Sequence, residues 1–251
     1  MMMKKLTFLI VLILGFELSA QSLEGSWRLV EQNGLKLDTV EVIRIYEDNY
    51  FAENAKNNTT DEFLWAEGGE YQTGDYKEII DFTTRDKDLV GATLDPKLTF
   101  INKDKIQIND VTNDEIWERI SDAKNDLTGN WVITGRKSDG EISRSTPGDR
   151  RTIKILGGDR FQWAAFNSKT GEFFGSGAGT YQAKDGKYTE NIENFSRDKN
   201  RVGAKLQFDY IFKDGEWHHI GKSSKGDPMY EIWSPYADAY QKKSIAEDDK
   251  Y

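Results

Sequence analysis

The pentapeptide LEGSW at Leu23–Trp27 returns as LTGNW at Leu127–Trp131, and the tripeptide EIW at Glu115–Trp117 returns unchanged at Glu231–Trp233. The second copy follows the first at an offset of 104 residues at the opening Trp and 116 residues at the closing Trp. A repeated segment of about a hundred residues that is bracketed by the same motifs has the size of one small domain. The sequence therefore predicts two tandem copies of one fold.

Both copies show the pattern of short β-strands. Hydrophobic residues alternate with polar ones at a period of two, and turn residues recur at short intervals. The segment Ile153–Ala165 predicts a hairpin with its turn at Gly157–Asp159, and Ile43–Ala55 is its counterpart in the first copy. The first and last strands of each copy carry a Trp, which favours a sheet that closes on itself. We therefore expect an all-β protein of two small antiparallel up-and-down β-barrels.

The repeat also sets the expected domain boundaries. The first barrel is predicted at residues 21–120, a linker at 121–126 and the second barrel at 127–236. Because this linker is only six residues long, the two barrels should touch or be nearly fixed relative to each other. Residues 237–251 are rich in charge and have no counterpart in the repeat, so they predict a frayed tail or a short surface helix.

The N-terminal segment has the features of a signal peptide, which we place at residues 1–20. Lys4 and Lys5 precede the apolar run Leu6–Phe16, and the small pair Ser19–Ala20 follows it. The apolar run is short for a membrane span, although a permanent N-terminal anchor is the alternative interpretation. We expect a secreted or periplasmic protein without a membrane segment in its mature form.

The composition excludes several classes of protein. The chain has no Cys, so it contains no disulfide, no thiolate metal site and no Cys nucleophile. Its formal net charge is −9, which opposes binding to nucleic acids and to anionic membranes, because both need concentrated Lys and Arg. Because it has no disulfide, the fold of this chain must be stabilised by its core alone.

An ordered set of short motifs runs through both copies. In the second copy they are Gly129–Trp131, Tyr188–Glu193, Val202–Gly203, Asp214–Trp217 and Glu231–Trp233, with weaker counterparts in the first copy at Gly25–Trp27, Tyr76–Asp81, Val90–Gly91 and Glu115–Trp117. The set resembles the lipocalin-like (calycin) superfamily, and more closely a bacterial lipocalin-like family of unknown function found in secreted proteins. The resemblance implies barrels in which the opening Trp plugs one end and a basic residue of the last strand lies over it. Arg119 is expected there in the first copy, whereas the second copy has Pro235. The resemblance implies ligand binding without naming a ligand.

A phenol and a carboxylate share one face of a predicted strand at Tyr188 and Glu190, and again at Tyr76–Glu78 in the first copy. If that face lines the barrel, the carboxylate needs a partner such as Arg197, or Arg85 in the first copy, or a ligand. Alternatively, these glutamates face water or satisfy backbone and Arg groups structurally. The predicted ligand-binding residues are Tyr181, Tyr188, Glu190, Arg197, Trp163, Gly175 and Gly177.

A run of alternating glycines distinguishes the second copy. Gly175, Gly177 and Gly179 fall on one face of a predicted strand, and the first copy has Trp65 at the position of Gly175. One interpretation is a cavity in the second copy where the first copy is filled by Trp65. The other is tight packing of the glycine face by the other copy or by Trp163 across the sheet.

Enzyme and metal sites have little support in the sequence. His218 and His219 are adjacent in a predicted strand, so their side chains diverge and cannot easily bind one metal ion together. The first copy has Ile106–Gln107 at those positions. The sequence around Gly175–Gly177 lacks the strand-to-helix context of a nucleophilic serine. Glu190 and Glu193 are three residues apart and point to opposite faces of a strand, which argues against a two-carboxylate hydrolase. We predict no catalytic residue, no metal site and no cofactor.

The favoured interpretation is an exported, non-enzymatic protein that binds a small, partly apolar molecule inside one barrel, preferentially the second. One alternative is a structural or protein-interaction module with filled barrels that uses the barrel exteriors or the groove between the copies. A weaker alternative is a carbohydrate-binding module in which Trp65, Trp163 or Trp217 stacks on sugars. A hollow barrel interior favours the first interpretation and a filled one favours the second.

Overall fold

The computed structural model describes residues 21–222 and 226–240 of the chain. Its regular structure consists almost entirely of antiparallel strands in two sheets, which confirms the predicted all-β class. The predicted signal peptide at residues 1–20 and residues 241–251 of the predicted tail lie outside the described residues. Within the described residues, no helix has both the length and the apolar character needed to cross a membrane.

The second sheet, which we call unit two, is a closed barrel of eight strands. Its strand order is β11-β13-β14-β15-β16-β17-β18-β19, and β19 pairs with β11 to close the cylinder, with β12 added at the side of β11. The strands are β11 (Gly129–Ser138), β12 (Glu141–Arg144), β13 (Arg150–Gly157), β14 (Arg160–Asn167), β15 (Glu172–Lys184), β16 (Lys187–Phe195), β17 (Lys205–Lys213), β18 (Glu216–Lys222) and β19 (Pro228–Pro235). The expectation of a closed up-and-down barrel holds for this unit.

The first sheet, unit one, has the same meander but stays open. Its order is β7-β6-β5-β4-β3-β1-β10-β9-β8, with β2 paired to β1. The strands are β1 (Gly25–Gln32), β2 (Leu35–Lys36), β3 (Val40–Glu47), β4 (Tyr50–Asn57), β5 (Phe63–Gln72), β6 (Lys77–Thr83), β7 (Thr93–Leu94), β8 (Lys97–Asn102), β9 (Lys105–Asn109) and β10 (Asp114–Ser121). Unit one is therefore a curled half-barrel, so both units are barrel-like as predicted, although only unit two closes.

A proline explains the opening in unit one. Leu94 pairs with Glu78 as Leu206 pairs with Glu190, so Pro96 occupies the position of Phe208 in the continuous strand β17. Proline has no N–H to donate to a ladder, and the residue order Asp95-Pro96 divides the strand into β7 and β8. The sheet consequently ends on both sides of this break instead of closing across it.

The repeated Leu-x-Gly-x-Trp motif forms the same local structure in both units. Gly25 and Gly129 have φ angles of 113° and 147°, which favour glycine. The indole Nε1 of Trp27 donates to the Leu23 carbonyl at 2.7 Å, and in unit two the equivalent bond runs from Trp131 to the Leu127 carbonyl at 2.9 Å. Each opening Trp is buried at one end of its sheet. The motif therefore folds the chain back so that the leucine carbonyl satisfies the indole.

The tripeptide Arg-Asp-Lys occurs in both units, at 85–87 and 197–199, with the same local structure. Each begins a single-turn 3₁₀ helix, Lys87–Leu89 in unit one and Lys199–Arg201 in unit two. The side chains of Asp86 and Asp198 cap these turns by accepting from the backbone N–H two residues later. The capped turn connects β6 to β7 in unit one and β16 to β17 in unit two.

The outer faces of the two sheets pack on each other in a shared hydrophobic core. Its buried members are Ile45, Tyr50, Ala52, Ala66 and Phe82 from unit one, and Val132, Ile153, Ile155, Ala164, Phe166 and Tyr236 from the other side. The rings of Phe82 and Phe166 stack with centroids 4.7 Å apart. The two units are thus in contact, as the short linker predicts, and strands β3 and β13 direct their isoleucines outward, away from their own sheet interiors.

Polar contacts across this interface are buried as well. Arg151 donates to Asp81 at 2.7 Å with side chains 0% and 3% exposed, and the Tyr236 hydroxyl lies 3.1 Å from the same guanidinium. The linker is fixed because Lys124 forms an ion pair with the buried Glu47 at 2.6 Å. A short helix, Tyr236–Ala239, spans the last residue of the predicted second barrel and the first residues of the predicted tail, and Tyr236 belongs to the interface. Because a buried ion pair holds only in one geometry, these contacts fix the two units relative to each other.

Candidate functional site

The interior of unit two is filled at one end and hollow at the other. Trp131, Tyr188 and Trp217 pack edge-to-face and fill the closed end, with ring centroids 5.2–6.0 Å apart. Toward the other end lies a cavity of about 200 Å³. Its apolar wall is formed by Trp163, Leu206, Phe208, Met229 and Trp233. This hollow is the candidate functional site.

An ion pair fixes one side of the cavity. The Lys154 ammonium lies 2.7 Å from Glu190 Oε1, and the Tyr188 hydroxyl donates to the same oxygen at 2.8 Å. The ammonium also faces the rings of Trp217 and Trp233 at 5.3 and 5.5 Å from their centroids. Burial and then the Glu190 charge raise the pKa of Tyr188 well above its ordinary value, so its hydroxyl stays protonated and remains a donor.

His219, like the Trp233 indole, lines the cavity with a buried polar group that has no hydrogen-bond partner among the described residues. Its side chain is buried against the rings of Phe208 and Trp217, and neither ring nitrogen has a hydrogen-bond partner within the described residues. The nearest carboxylate oxygen belongs to Glu231, 3.8 Å from Nδ1. Burial lowers the pKa of His219, which favours the neutral imidazole, a ring that carries one donor and one acceptor. Because an unpaired buried polar group is costly, a ligand that pairs with it gains affinity.

The corresponding interior of unit one is crowded with charge. Arg44 stands at the position of Lys154 and binds both Glu53 and Glu78, each at 2.7 Å. Arg85 pairs with Glu67, and its guanidinium lies 5.2 Å from the ring centroid of the Trp65 indole. A cavity of about 300 Å³ near the open edge is lined largely by these charged groups.

The pKa values of two buried acids of unit one, Glu67 and Glu53, shift in opposite directions. Burial, followed by repulsion from Glu53, raises the pKa of Glu67 to about 7 despite the ion pair with Arg85. Burial also raises the pKa of Glu53, but attraction to Arg44 and Arg85 outweighs it, so the net shift is downward. Unit one therefore holds acids that share too few cations, whereas unit two holds one balanced pair beside an apolar cavity.

The predicted ligand-binding residues do not form one cluster. Trp163 and Glu190 line the cavity, and Tyr188 lies behind Glu190 as its hydrogen-bond donor. Tyr181 is at the closed end, where its hydroxyl accepts from Asn125 at 2.7 Å. Arg197 lies outside the cavity, where it donates to the backbone carbonyl of Phe174.

The predicted charge partners are wrong for both units. Glu190 binds Lys154 instead of Arg197, and Glu78 binds Arg44 instead of Arg85. The alternative that these glutamates satisfy structural partners therefore describes their contacts. The sequence does not single out Arg44 or Lys154, because each lies between two isoleucines and alternation alone does not tell which face of the strand is interior.

The glycine-rich strand is packed rather than hollow. A Cβ on Gly177 would lie 2.4 Å from Nε1 of Trp163, and one on Gly175 would lie 2.6 Å from Nε of Arg197. Gly179 is pressed against the backbone of the next strand, with Asn191 O 1.9 Å from where its Cβ would be. Trp163 therefore fills the space beside these glycines, as the interpretation of tight packing predicts, and the hollow lies on the other side of that ring.

The two histidines diverge as predicted, but their counterparts in unit one differ from the expected ones. On the outer face, Nδ1 of His218 forms a hydrogen bond of 3.0 Å with the Tyr230 hydroxyl, while His219 points inward. His219 pairs with Glu231 as Ile108 pairs with Glu115, so its counterpart is Ile108 rather than Gln107. Alternation with the buried Trp217 is the sequence signal that would have placed His219 in the interior. Among the described residues, no group of three or more His, Asp or Glu side chains is arranged to hold a metal ion.

Comparison with protein families places a domain on unit two. Residues 126–237 match the family described as a domain of unknown function (DUF4488). The matched segment begins before β11 and ends within the helix that follows β19, so it covers the closed barrel and its cavity. No curated protein matches the chain. The matched family carries no assigned activity in its description, so the resemblance to lipocalins stays a prediction from the sequence.

Proposed function

We propose that unit two binds a small, partly apolar molecule in the cavity between Trp163 and His219, and that the protein is not an enzyme. The observation that carries this proposal is the apolar hollow inside a closed barrel, which contains a buried imidazole without a hydrogen-bond partner. Ligand sites typically combine an apolar wall with a few polar groups that fix orientation. In this proposal the aromatic wall holds the body of the ligand, and His219 pairs with its single polar group.

The size of the cavity limits the ligand. A dry engineered cavity of about 150 Å³ accepts benzene, and the hollow in unit two measures about 200 Å³. A molecule as large as a substituted benzene ring fits, whereas an oligosaccharide or a long lipid does not. The ion pair between Lys154 and Glu190 is already satisfied, so a neutral polar group such as a hydroxyl or carbonyl suits His219 best.

The alternatives have weaker support. Carbohydrate binding needs exposed aromatic platforms, but Trp217 is fully buried, and Trp65 and Trp163 lie within the two interiors. A protein-interaction role would use the barrel exteriors, but part of both exteriors is occupied by the shared core between the units. Among the described residues, the interior of unit two is filled at its closed end and hollow at the other. The filled end is what an interaction module would show, so that module is the competing hypothesis.

The wider identity is part of the same proposal. We propose that both units are lipocalin-like copies of one ancestral barrel, with unit one diverged through Pro96 and its charged interior. We also propose that residues 1–20 direct export and are removed, which places the mature protein outside the cytoplasm. N-terminal sequencing of the protein from its producing cells tests the second point, with Gln21 expected as the first residue.

The two histidines of the chain offer a direct test of ligand binding. Imidazole NMR signals of His219 report on the cavity, and those of His218 report on the outer face of the same strand. Titration with neutral substituted benzenes carrying one hydroxyl or carbonyl should shift the His219 signals and leave His218 unchanged. Native mass spectrometry of protein purified gently from its producing cells should show a discrete additional mass that is lost on denaturation.

Matched cavity-filling variants control for indirect effects. Leu206→Trp should fill the cavity of unit two and abolish both the His219 shifts and the additional mass. Leu94→Trp makes the same change at the equivalent position of unit one and should leave both intact. If no probe shifts His219 and the chain carries no additional mass, the proposal is wrong, and capture of a protein partner becomes the next experiment.

A further inference from the structure

A second hollow in unit two has an unusual charge. A cleft of about 440 Å³ lies between β11, β12 and the start of β13, and five arginines line it. They are Arg136, Arg144, Arg150, Arg151 and Arg197. Among the described residues, no Asp or Glu contributes to the lining, although the whole chain has a net charge of −9. The cleft is thus a local concentration of positive charge on an acidic protein.

Two of these arginines lack a carboxylate partner. Arg136, Arg144 and Arg151 form ion pairs with acids outside the cleft, whereas Arg150 and Arg197 form none with any described residue. Both converge on Phe174. The Arg150 guanidinium lies 4.4 Å from the centroid of its ring, and Arg197 donates to its carbonyl. Two exposed guanidiniums are therefore positioned by one residue and keep donors available.

Unit one shows how Arg197 lost its counter-charge. The equivalent Arg85 is paired with Glu67 and lies within 3.9 Å of Glu53. In unit two these two positions hold Gly177 and Trp163, which the strand register places directly opposite each other, as it does Glu67 and Glu53. Both carboxylates are absent while the arginine is present. The positive charge that unit one neutralises internally is exposed in unit two.

We infer that this arginine cleft is a binding site for a small organic oxyanion, a molecule bearing a phosphate or a carboxylate group. Guanidinium groups bind such oxyanions through paired, charge-assisted hydrogen bonds. The hydroxyls of Ser145, Thr146 and Thr152 line the same cleft and can donate to further oxygens. The exposed part of the Phe174 ring can contact the carbon skeleton of the ligand. Thr152 also lines the cavity with His219, but the cleft does not depend on that cavity holding a ligand.

Calorimetric titration with three probes of similar size tests the inference. Phenyl phosphate and phthalate carry the two candidate oxyanions, and benzyl alcohol is the neutral control. We expect at least one anionic probe to bind with a dissociation constant of about 1 mM or below, with affinity that falls as NaCl is raised. Tighter binding of phenyl phosphate assigns the site to phosphate monoesters, and tighter binding of phthalate assigns it to carboxylates.

Paired variants locate the site. Arg150→Gln/Arg197→Gln should weaken the anionic probe by about tenfold or more, because two charge-assisted donors are lost. The control Arg28→Gln/Lys187→Gln removes the same charge at two exposed positions outside the cleft and should leave affinity within about twofold. Thermal melting of each variant checks that it folds, and the NaCl dependence of the unsubstituted chain provides a measurement independent of any variant.

Three outcomes would overturn the inference. These are dissociation constants above about 1 mM for both anions, binding of benzyl alcohol that Arg150→Gln/Arg197→Gln weakens as much as it weakens the anions, or equal weakening of the anions in the control pair. A neutral probe in the His219 cavity does not contact Arg150 or Arg197 and should be unaffected by their substitution, so this inference and the proposed function can fail separately.

Discussion

Unit one and unit two build the same strand meander around different interiors. At the centre of each sheet a cation binds a carboxylate, Arg44 with Glu78 in one and Lys154 with Glu190 in the other. Next to this pair, unit one has a further acid, Glu53, where unit two has an indole. The extra acid binds a second edge of the Arg44 guanidinium, a geometry that an ammonium cannot reproduce. The choice of Arg or Lys thus follows the number of carboxylates to be satisfied.

The difference continues around the sheets. Unit one places Glu67 and Arg85 together, while unit two has Gly177 beneath an indole and leaves Arg197 without an acid. Replacing acids by an aromatic ring and a glycine removes charge from the interior and creates apolar wall. One scaffold therefore gives either a self-neutralised interior or a cavity beside exposed cations. The outcome depends on two facing positions, which hold Glu53 and Glu67 in unit one and Trp163 and Gly177 in unit two.

Removal of the central cation should destabilise unit one more than unit two, and this is the largest difference expected between them. Arg44→Met leaves the buried Glu78 without a cation and Glu53 with only Arg85, 3.9 Å away, and should cost about 3–5 kcal/mol of unfolding free energy. Lys154→Met leaves only Glu190, which keeps the Tyr188 hydroxyl as donor beside a cavity, and should cost about 1–3 kcal/mol. Urea unfolding followed by tryptophan fluorescence measures both. Equal losses would show that the two interiors do not differ in their dependence on charge.

A smaller effect is expected at the ends of the sheets. The Arg119 guanidinium lies 4.1 Å from the ring centroid of Trp27 and donates to the carbonyls of Ser22 and Glu24, whereas in unit two Pro235 pairs with Trp131. Arg119→Gln should therefore destabilise the chain by about 1–2 kcal/mol.

Lys105→Gln changes a nearby exposed ion pair and should have an effect within about 0.5 kcal/mol. Urea unfolding compares the two variants. An equally small effect of Arg119→Gln would mean that the stacked guanidinium contributes nothing to unit one that unit two lacks.

Much of the fold could be predicted from the sequence. The repeated Trp motifs, the turn residues and the period-two alternation predicted the class, the meander and the contact between the units. The open edge was missed although Pro96 was visible, because one proline was not weighed against the strong pairing signals around it. The closed barrel of unit two has no such interruption.

The candidate site was harder to predict for a physical reason. Alternation tells which residues share a face of a strand, but not which face is inside when both are buried. In β3 and β13 the isoleucines face the partner unit, and so Arg44 and Lys154 face the interior. Trp163, one of the predicted ligand-binding residues, lines the cavity. His219 lies two residues after the buried Trp217, so it occupies the interior face of β18, whereas the adjacent His218 occupies the outer face.

The smallest expected effect concerns pH and has opposite signs in the two units. Glu67 has a pKa near 7 in the folded chain against an ordinary value of 4.5, so its protonated form is favoured by folding. The associated stability is fully present below pH 4.5 and is lost as pH rises through 7. His219 has a lowered pKa, so its contribution is present above pH 6.5 and is lost as pH falls through the folded value.

Glu67→Gln should therefore flatten the decline in stability between pH 6 and pH 8 by about 1 kcal/mol. Glu47, whose pKa burial raises to about 7 beside Lys124, contributes a slope of the same sign and remains in the variant, so only the difference between the two curves reports on Glu67. His219→Gln should leave that window unchanged and instead flatten the decline below pH 6.5. Thermal melting at closely spaced pH values measures both. If Glu67→Gln leaves the slope between pH 6 and pH 8 intact, the interior acids of unit one are ionised throughout, and its charge excess must be neutralised by groups other than a proton.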